Sequence, residues 1–454
     1  MEKTSQVYNY IRILIRYAFW LSYKRIVVLG KENIPKDKPI IFTANHQNAL
    51  MDDLAIVLTN HTQPVWLGRA DLFKAKFARP FLKFFRVLPV YRIRDGKENL
   101  SKNDEIFERA IRILEHKQVI GLFPEASHSG RRQMLEHKKA APRIAFLAEE
   151  KNNFELGLQI VPIGIYFSHY WKFNRSLIVN YGSPIDVDQY KLLFHENEHK
   201  ATMALRQEIL ERIKTLTINI NSPKYYLEYE RMREMAGKQY AGAKKFSKNY
   251  FLDRFFSDKE LVENLERFES QDQETFTNLL EEVNEYYKLL DESHLLTNNV
   301  KPIEATNTFM LFVKMAIGIL LSPLFFAGFA ANGLLFLLPR LIIEKKVKDF
   351  IFRSTFNLVI GLIWFPLTHL ILAIIIGSIF HSFLLGLFLF LSLPLFGKAT
   401  YQLFESYCRT YRCLHYQWLW YTHGLKTKQL LHKKTELVDK IIDAARNYGK
   451  TYSN

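Results

Sequence analysis

A histidine followed by two carboxylates is the feature of this sequence that most directly suggests chemistry. His46 comes just after a short apolar run at residues 39–43, and Asp52 and Asp53 follow about two helical turns further on. Imidazole titrates near neutral pH, so His46 can remove a proton from an attacking hydroxyl, and a nearby carboxylate can orient its ring. The alternative interpretation is that His46 caps a helix and Asp52 is an ordinary solvated helix residue.

Two further polar segments have residue types and a residue spacing that suit the binding of an anion or a hydroxyl group. Arg92 and Arg94 occupy alternate positions of an extended stretch, where both can face one anion, although a solvated strand face is the alternative. A turn that follows the apolar run at residues 119–123 carries four further candidates, which are Pro124, Glu125, Ser127 and His128.

The elements around these residues alternate between strand and helix patterns over residues 24–220. Short apolar runs at 26–29, 39–43, 119–123, 160–165 and 177–181 predict strands, and residues 101–117 have the spacing of an amphipathic helix. This alternation predicts an α/β fold, with a largely parallel central sheet flanked by helices. Because such folds collect chemistry outside the carboxyl ends of strands, the positions of His46 and Glu125 fit a shared site.

Composition limits the class of partner. The chain has a net charge of +16 and 14% aromatic residues, which suits an anionic surface. It has neither zinc-finger spacing nor a long Lys/Arg block, so we expect a lipid bilayer rather than nucleic acid as the partner, and no metal. The two cysteines, Cys408 and Cys413, fit a reducing compartment.

Apolar segments in the last third predict membrane association. Residues 310–338 predict a hairpin broken at Pro323 or Asn332, and residues 358–376 and 383–395 predict a pair of crossings. Basic residues that follow the first and last of these segments would then lie on the cytoplasmic side, together with the α/β domain.

These patterns divide the chain into five predicted segments. They are an interfacial amphipathic helix at 1–24, the α/β domain at 25–221, a helical domain or partner surface at 222–305, membrane segments at 306–400 and a basic cytoplasmic helical tail at 401–454. We expect the α/β domain to fold without the residues after about 300.

Taken in order, the polar segments resemble the sequence blocks of the glycerolipid acyltransferases that act on glycerol-3-phosphate or lysophosphatidic acid. The family's Asn-His…Asp block matches Asn45, His46 and Asp52, with Asn48 and Asp53 in support. Its arginine block matches Arg92 and Arg94, its Phe-Pro-Glu block matches residues 123–125, and its Val-Pro block matches Val161 and Pro162. The resemblance covers roughly residues 25–190.

The chain departs from the family pattern in two places. Five residues separate His46 from Asp52 where four are usual, so the carboxylate must reach the ring from a different local turn. Ala126 stands where glycine is usual, and the arginine expected in that block is missing, which leaves Arg131 or Arg132 as substitutes. The wider gap and the Ser127-His128 ending are similar to the fungal type of glycerol-phosphate acyltransferase.

The resemblance implies a membrane-bound enzyme in phospholipid biosynthesis that acylates glycerol-3-phosphate from acyl-CoA or an acyl carrier protein thioester. His46 would be the general base, Asp52 would orient it, and Arg92, Arg94, Glu125, Ser127 and His128 would bind the phosphorylated glycerol acceptor. No cofactor is implied beyond the thioester co-substrate. The alternatives are lysophosphatidic acid, another lysophospholipid or an amino-type lipid precursor as acceptor, and a non-catalytic lipid-binding scaffold.

Overall fold

The chain forms an eight-stranded sheet with helices around it, followed by a long helical region. The computed structural model describes residues 6–74, 78–92, 98, 101–243, 249–302, 308–347 and 349–449. Within these residues the strands are β1 Tyr23–Leu29, β2 Ile40–Ala44, β3 Val65–Arg69, β4 Val87–Val90, β5 Val119–Leu122, β6 Gln159–Phe167, β7 Arg175–Tyr181 and β8 Ile185–Asp186.

The sheet is largely parallel, as the alternation of patterns predicts. Its strands lie in the order β1-β7-β6-β2-β5-β3-β4, and β8 pairs with β6. β2 runs parallel to both β5 and β6, and β3 runs parallel to β4 and β5, whereas β7 and β8 are antiparallel to β6. The carboxyl ends of β2, β5, β3 and β4 therefore lie at one edge of the sheet.

Pro162 lies within β6, a strand that has partners on both sides. The register pairs Thr43 of β2 with Pro162 on one side. On the other side, β8 pairs with Gln159 and Ile160, and β7 pairs from Ile163 onward. Proline cannot donate a ladder hydrogen bond, and Pro162 falls where β6 changes partner.

Fifteen helices lie within the described residues. Those up to residue 216 are α1 Gln6–Ser22, α2 Leu50–Thr59, α3 Ala78–Phe84, α4 Lys102–Glu115, α5 Ala140–Lys151, α6 Lys191–Glu196 and α7 Glu198–Leu216. The later ones are α8 Tyr226–Ala243, α9 Tyr250–Gln271, α10 Gln273–Glu292, α11 Thr308–Leu320, α12 Ser322–Lys346, α13 Arg353–Ile379, α14 Phe383–Thr422 and α15 Gly424–Asn447.

Contacts group the chain into two compact units. The first comprises Met1–Thr217 and Pro339–Trp364, and the second comprises Ile218–Leu338 and Phe365–Asn454. The core on one face of the sheet includes Phe19 of α1, Leu54 of α2 and Leu358 of α13. A stretch of the apolar C-terminal third is thus part of the unit that contains the sheet, which argues against the expectation that this unit folds without the residues after about 300. The division into five predicted segments stays a prediction.

In the second unit, the amphipathic stripe of α10 is used internally. Its six apolar residues are all buried, and α10 packs with α8, α9 and α15. These six are Phe276, Leu279, Leu280, Val283, Tyr286 and Leu290. The stripe is therefore the inner face of a helical bundle rather than a surface for a partner helix. α15, predicted as a basic tail, joins this bundle through the ion pairs Lys433–Glu285 and Lys440–Glu282.

Two of the described helical stretches are long and apolar enough to cross a membrane, namely Phe350–Ile379 and Phe383–Thr422. A third span is formed if Thr308–Leu320 and Ser322–Gly333 act together, and these two helices meet at an angle of 55°. The break at Leu321 lies two residues before Pro323, where the sequence predicts an interruption. α14 continues without a break past residue 400, where a segment boundary is predicted.

Candidate active site

The residues at the carboxyl edge of the sheet come from four neighbouring parallel strands. His46 follows β2, Glu125 follows β5, Arg69 ends β3 and Arg92 follows β4. Side chains at the carboxyl ends of neighbouring parallel strands lie at the same edge of the sheet, which is where α/β folds collect their sites. Residues that are far apart in the sequence are brought to one side of the sheet in this way.

A hydrogen bond joins the histidine to the predicted carboxylate. His46 Nδ1 lies 2.9 Å from Asp52 Oδ2, and the same oxygen accepts the backbone N–H groups of Gln47 at 2.8 Å and Asn48 at 2.7 Å. Asp52 is fully buried, whereas the His46 side chain keeps 15% of its surface exposed. With Nδ1 donating to Asp52, Nε2 is the ring nitrogen that can accept a proton.

The extra residue between His46 and Asp52 is absorbed before α2 begins. Ala49 has φ 44° and ψ −135°, an uncommon conformation for a residue with a side chain, and α2 starts at Leu50. Asp52 then lies in the first helical turn, where backbone N–H groups favour a negative charge. The wider spacing therefore still delivers the carboxylate to the ring.

Aromatic stacking fixes the plane of the His46 ring. The Phe123 ring lies 4.1 Å from the His46 ring, nearly parallel to it, and Trp66 stacks on the other side of Phe123 at 5.4 Å. The His128 ring meets His46 edge-on at 5.5 Å. His46 thus has little freedom to rotate away from Asp52.

Glu125 and its neighbours shape the backbone of the site. One Glu125 oxygen accepts the His46 N–H and the other accepts the Leu135 N–H, both at 2.8 Å. Burial raises the pKa of Glu125 to about 7. Both of its oxygens contact backbone amides, and a direct role in acceptor binding stays a prediction. Ala126 has φ 52°, a conformation that favours glycine, which explains why glycine is usual at this position.

Electrostatics support a histidine that can hold a proton. Burial opposes a charge on His46, but the hydrogen bond and negative charge of Asp52, with smaller contributions from Asp53 and Glu125, raise its pKa above the ordinary value. Burial and the neighbouring His46 lower the pKa of His128 to about 4. His128 is therefore neutral at pH 7.

A cluster of two arginines and one aspartate lies at the ends of β3 and β4. Arg69 donates to both oxygens of Asp71, at 3.1 and 2.6 Å, and Arg92 donates to Oδ2 at 3.0 Å. The hydrogen bond from Arg69, together with the charge of Arg92, lowers the pKa of Asp71 to about 2. The cluster keeps one net positive charge and is partly exposed. Arg94 lies outside the described residues.

Sequence analysis did not assign Arg69 to the site. The signal is present in the sequence, because Arg69 and Asp71 stand two residues apart, but no apolar run predicts β3. Of the two proposed substitutes for the missing arginine, Arg132 is buried. Its guanidinium lies over the rings of Tyr166 and Tyr170 and donates to the Phe167 carbonyl. Arg131 is exposed.

The remaining polar residues of the histidine block secure the turn. The Asn45 amide makes two hydrogen bonds to the backbone of Ile165 in β6, at 3.0 and 2.7 Å. Asn48 donates to the Tyr170 carbonyl at 3.0 Å, and Tyr170 donates from its hydroxyl to Gln47 at 2.8 Å. Asn45 and Asn48 thus act as predicted supporting positions, although their importance for activity stays a prediction.

Comparison with known proteins finds relatives for the part of the chain that carries this site. Residues 25–166 match the acyltransferase family. The chain is 26% identical over 214 residues to a 1-acyl-sn-glycerol-3-phosphate acyltransferase of Borreliella burgdorferi, an alignment that covers 46% of this chain and 79% of the relative. It is 22% identical to glycerol-3-phosphate O-acyltransferase 1 of Saccharomyces cerevisiae, with 30% of this chain and 18% of the relative covered. It is 27% identical to glycerol-3-phosphate O-acyltransferase 2 of the same yeast, with 26% of this chain and 16% of the relative covered.

Among solved structures, the 1-acyl-sn-glycerophosphate acyltransferase of Thermotoga maritima matches 47% of this chain and 81% of its own, at 22% identity and a TM-score of 0.34.

Proposed function

Because residues 25–166 form an acyltransferase domain that fits the glycerolipid acyltransferases, we propose that this enzyme transfers an acyl group from a thioester to glycerol-3-phosphate, with His46 as general base. The observation that carries the proposal is the 2.9 Å bond between His46 Nδ1 and the buried carboxylate of Asp52. A neutral, oriented imidazole beside a partly exposed edge is what proton removal from a hydroxyl requires.

The reaction needs one proton transfer in each direction. His46 Nε2 takes the hydroxyl proton of the acceptor while the hydroxyl oxygen attacks the thioester carbonyl carbon. A C–O bond forms, the C–S bond breaks, and the leaving thiolate takes the proton back from the imidazolium. Asp52 stabilises the imidazolium in between, because its oxygen already contacts Nδ1.

The acceptor phosphate would bind at the cluster of Arg69, Asp71 and Arg92. A dianionic phosphate can pair bidentately with a guanidinium, and Asp71 holds two guanidinium groups together at the end of β3. Arg69 ends β3, the strand next to β5, which leads to Glu125, and Arg92 follows β4, the next strand beyond β3. Arg94, Ser127 and His128 remain predicted members of the acceptor site.

The choice of glycerol-3-phosphate rests on the block Ala126-Ser127-His128, which resembles the glycerol-phosphate type, and on the similarity to the two yeast enzymes. Lysophosphatidic acid is the second candidate. The similarity to the Borreliella enzyme favours it, since that alignment spans 214 residues, more than either yeast alignment.

The donor and the location follow from the same proposal. Acyl-CoA or an acyl carrier protein would supply the thioester, and no further cofactor takes part. The apolar helices would hold the enzyme in the bilayer with the α/β unit on the cytoplasmic face, since the basic clusters that follow the apolar segments favour that side.

The test is product analysis with purified full-length protein in lipid nanodiscs. Acyl-CoA is offered with glycerol-3-phosphate or with lysophosphatidic acid in separate reactions, and products are resolved by mass. We expect lysophosphatidic acid from glycerol-3-phosphate, and a loss of at least about 100-fold in His46→Ala. His61→Ala, which removes an exposed histidine, is the matched control. Product from lysophosphatidic acid alone would establish the second candidate, and full activity of His46→Ala would refute the mechanism.

A further inference from the structure

The start of the apolar helix α13 lies against the catalytic turn of the sheet unit. A short 3-10 helix, Phe350–Phe352, precedes it and is capped by Asp349, whose carboxylate accepts the Ile351 N–H at 3.0 Å. Leu358, one turn into α13, is 7% exposed and belongs to the same core as Met51 and Leu54 of α2. Packing therefore anchors this segment beside the helix that carries Asp52.

Residues 350–352 cover the turn that follows β5. The Phe352 ring meets the His128 ring edge-on at 4.8 Å, and the Phe350 ring meets Trp171 at 5.3 Å. Gly130 has φ 64°, and a Cβ there would come within 2.7 Å of Ile351. Glycine accommodates both the backbone conformation and this close approach without strain.

One hydrogen bond links this segment directly to the histidine block. Ser354 Oγ donates to Asn48 Oδ1 at 2.6 Å, and both residues are buried. The Nδ2 group of the same Asn48 amide donates to the Tyr170 carbonyl, so hydrogen bonds hold the Asn48 side chain from two sides. The backbone N–H of Asn48 in turn donates to the Asp52 oxygen that contacts His46.

We propose that Ser354 is a positioning residue for the acyl transfer, acting through Asn48 on the Asp52–His46 pair. Without the hydroxyl, the Asn48 oxygen is left buried and unsatisfied, and the amide must turn away to find another donor. The Asn48 backbone would move with it and weaken one of the three hydrogen bonds that fix the Asp52 oxygen. A general base that is slightly misplaced lowers the rate of the chemical step more than it lowers substrate affinity.

This inference rests on the proposed role of His46, and the experiment separates the two. Ser354→Ala and Ser354→Thr are compared with wild type in full-length protein, with kcat and both KM values measured. We expect Ser354→Ala to lower kcat about tenfold and to leave KM for either substrate within about twofold of wild type. Ser354→Thr keeps the hydroxyl and should retain most of the wild-type kcat. The matched control is Ser392→Ala, since Ser392 donates to the Leu389 carbonyl within its own apolar helix.

Thermal unfolding of the same variants guards against a folding defect, and His46→Ala is measured alongside. Equal kcat for wild type and Ser354→Ala, with His46→Ala inactive, would overturn the positioning role and leave the proposed function standing. A kcat loss that Ser354→Thr does not restore would also overturn it. Full activity of His46→Ala would overturn both.

Discussion

At the scale of single residues, the site depends on how one turn accommodates an extra residue. The sequence correctly predicts that the carboxylate must approach His46 from a different local turn, and Ala49 with its positive φ provides that turn. Strain at such positions costs on the order of 1–3 kcal/mol and persists where the surroundings hold it. Here the Asn48 amide and the N–H groups that contact Asp52 do so.

We predict that Asp52→Asn is far more damaging than Asp53→Asn. Asp52 touches the His46 ring, whereas Asp53 influences the ring only through its charge. Asp52→Asn should lower kcat by about 10²–10⁴-fold, and Asp53→Asn by less than about tenfold. Steady-state kinetics at saturating donor decide the matter, and the reverse order would show that the wrong carboxylate has been assigned.

The pH profile offers a second check at this scale. Catalysis needs neutral His46, and the pKa of His46 is raised because Asp52, Asp53 and Glu125 outweigh the effect of burial, while neutral His128 adds no charge. The acidic limb of kcat/KM should therefore lie above the ordinary histidine value. In Asp52→Asn the limb should move to lower pH, since burial then dominates. An unmoved limb would mean that another group titrates.

The arginine cluster gives a prediction about binding. Arg69→Ala and Arg92→Ala should raise KM for the phosphorylated acceptor at least about tenfold and leave KM for the donor within about twofold. Arg112→Ala, an exposed arginine of α4, serves as the control. A selective loss of donor affinity would reassign the cluster to the phosphates of the donor.

What could be predicted at this scale was governed by local signals. His46 and Asp52 stand out because a histidine and an acidic pair closely follow one strand. Arg69 and Ser354 could not be assigned, because Arg69 joins Arg92 only through the Arg92–Asp71 contact, which spans 21 residues, and Ser354 contacts Asn48 across 306 residues. Neither spacing nor composition reports contacts of that range in a single sequence.

At the scale of elements, α1 directs one of its two arginines inward and leaves the other exposed. The sequence predicts an interfacial amphipathic helix with Arg12 among its basic residues. Arg12 points inward, toward α2, and donates to the carbonyl oxygens of Val57 and Asn60 at the end of that helix, at 2.8 and 2.6 Å. Five exposed residues form the opposite stripe, which is apolar and aromatic: Tyr10, Ile13, Leu14, Tyr17 and Trp20.

This geometry predicts unequal effects of the two arginines of α1. Arg12→Ala should lower the free energy of unfolding by about 1.5–3 kcal/mol, because two carbonyl groups lose a charged donor. Arg16→Ala, at an exposed position of the same helix, should change it by less than about 0.5 kcal/mol. Denaturant titration of both variants in detergent tests this, and equal effects would contradict the inward orientation of Arg12.

The strands were predictable in proportion to their apolar length. The predicted strands at 26–29, 39–43, 119–123, 160–165 and 177–181 overlap observed strands, whereas β3 and β8 are not predicted and β4 falls only within the extended stretch that carries Arg92 and Arg94. β3 contains Gly68 and ends in Arg69, and β4 has four residues with Pro89 among them. Such short, interrupted runs form strands only because neighbours in the sheet supply their hydrogen bonds.

At the scale of the whole molecule, the sheet unit is discontinuous in sequence, since it takes in Pro339–Trp364. A chain that ends after residue 302 should therefore be less stable than the full protein and lose at least about 90% of its activity, because Leu358 leaves the core and Asn48 loses Ser354. A chain that ends after residue 379 retains both contacts and is the control. Comparable activity of the shorter chain and the control would contradict this.

The long separation between Asn48 and Ser354 also orders events during synthesis. At a translation rate of about 5–20 residues per second, roughly 15–60 s separate the appearance of these two residues. Throughout that interval the nascent sheet unit lacks its last segment, Pro339–Trp364. The hydrogen bond can form only after the first residues of α13 have been made, so the turn that carries His46 is completed at about the time that this apolar helix becomes available for insertion. Enzyme maturation and delivery to the bilayer would thus be coupled by the order of the chain itself.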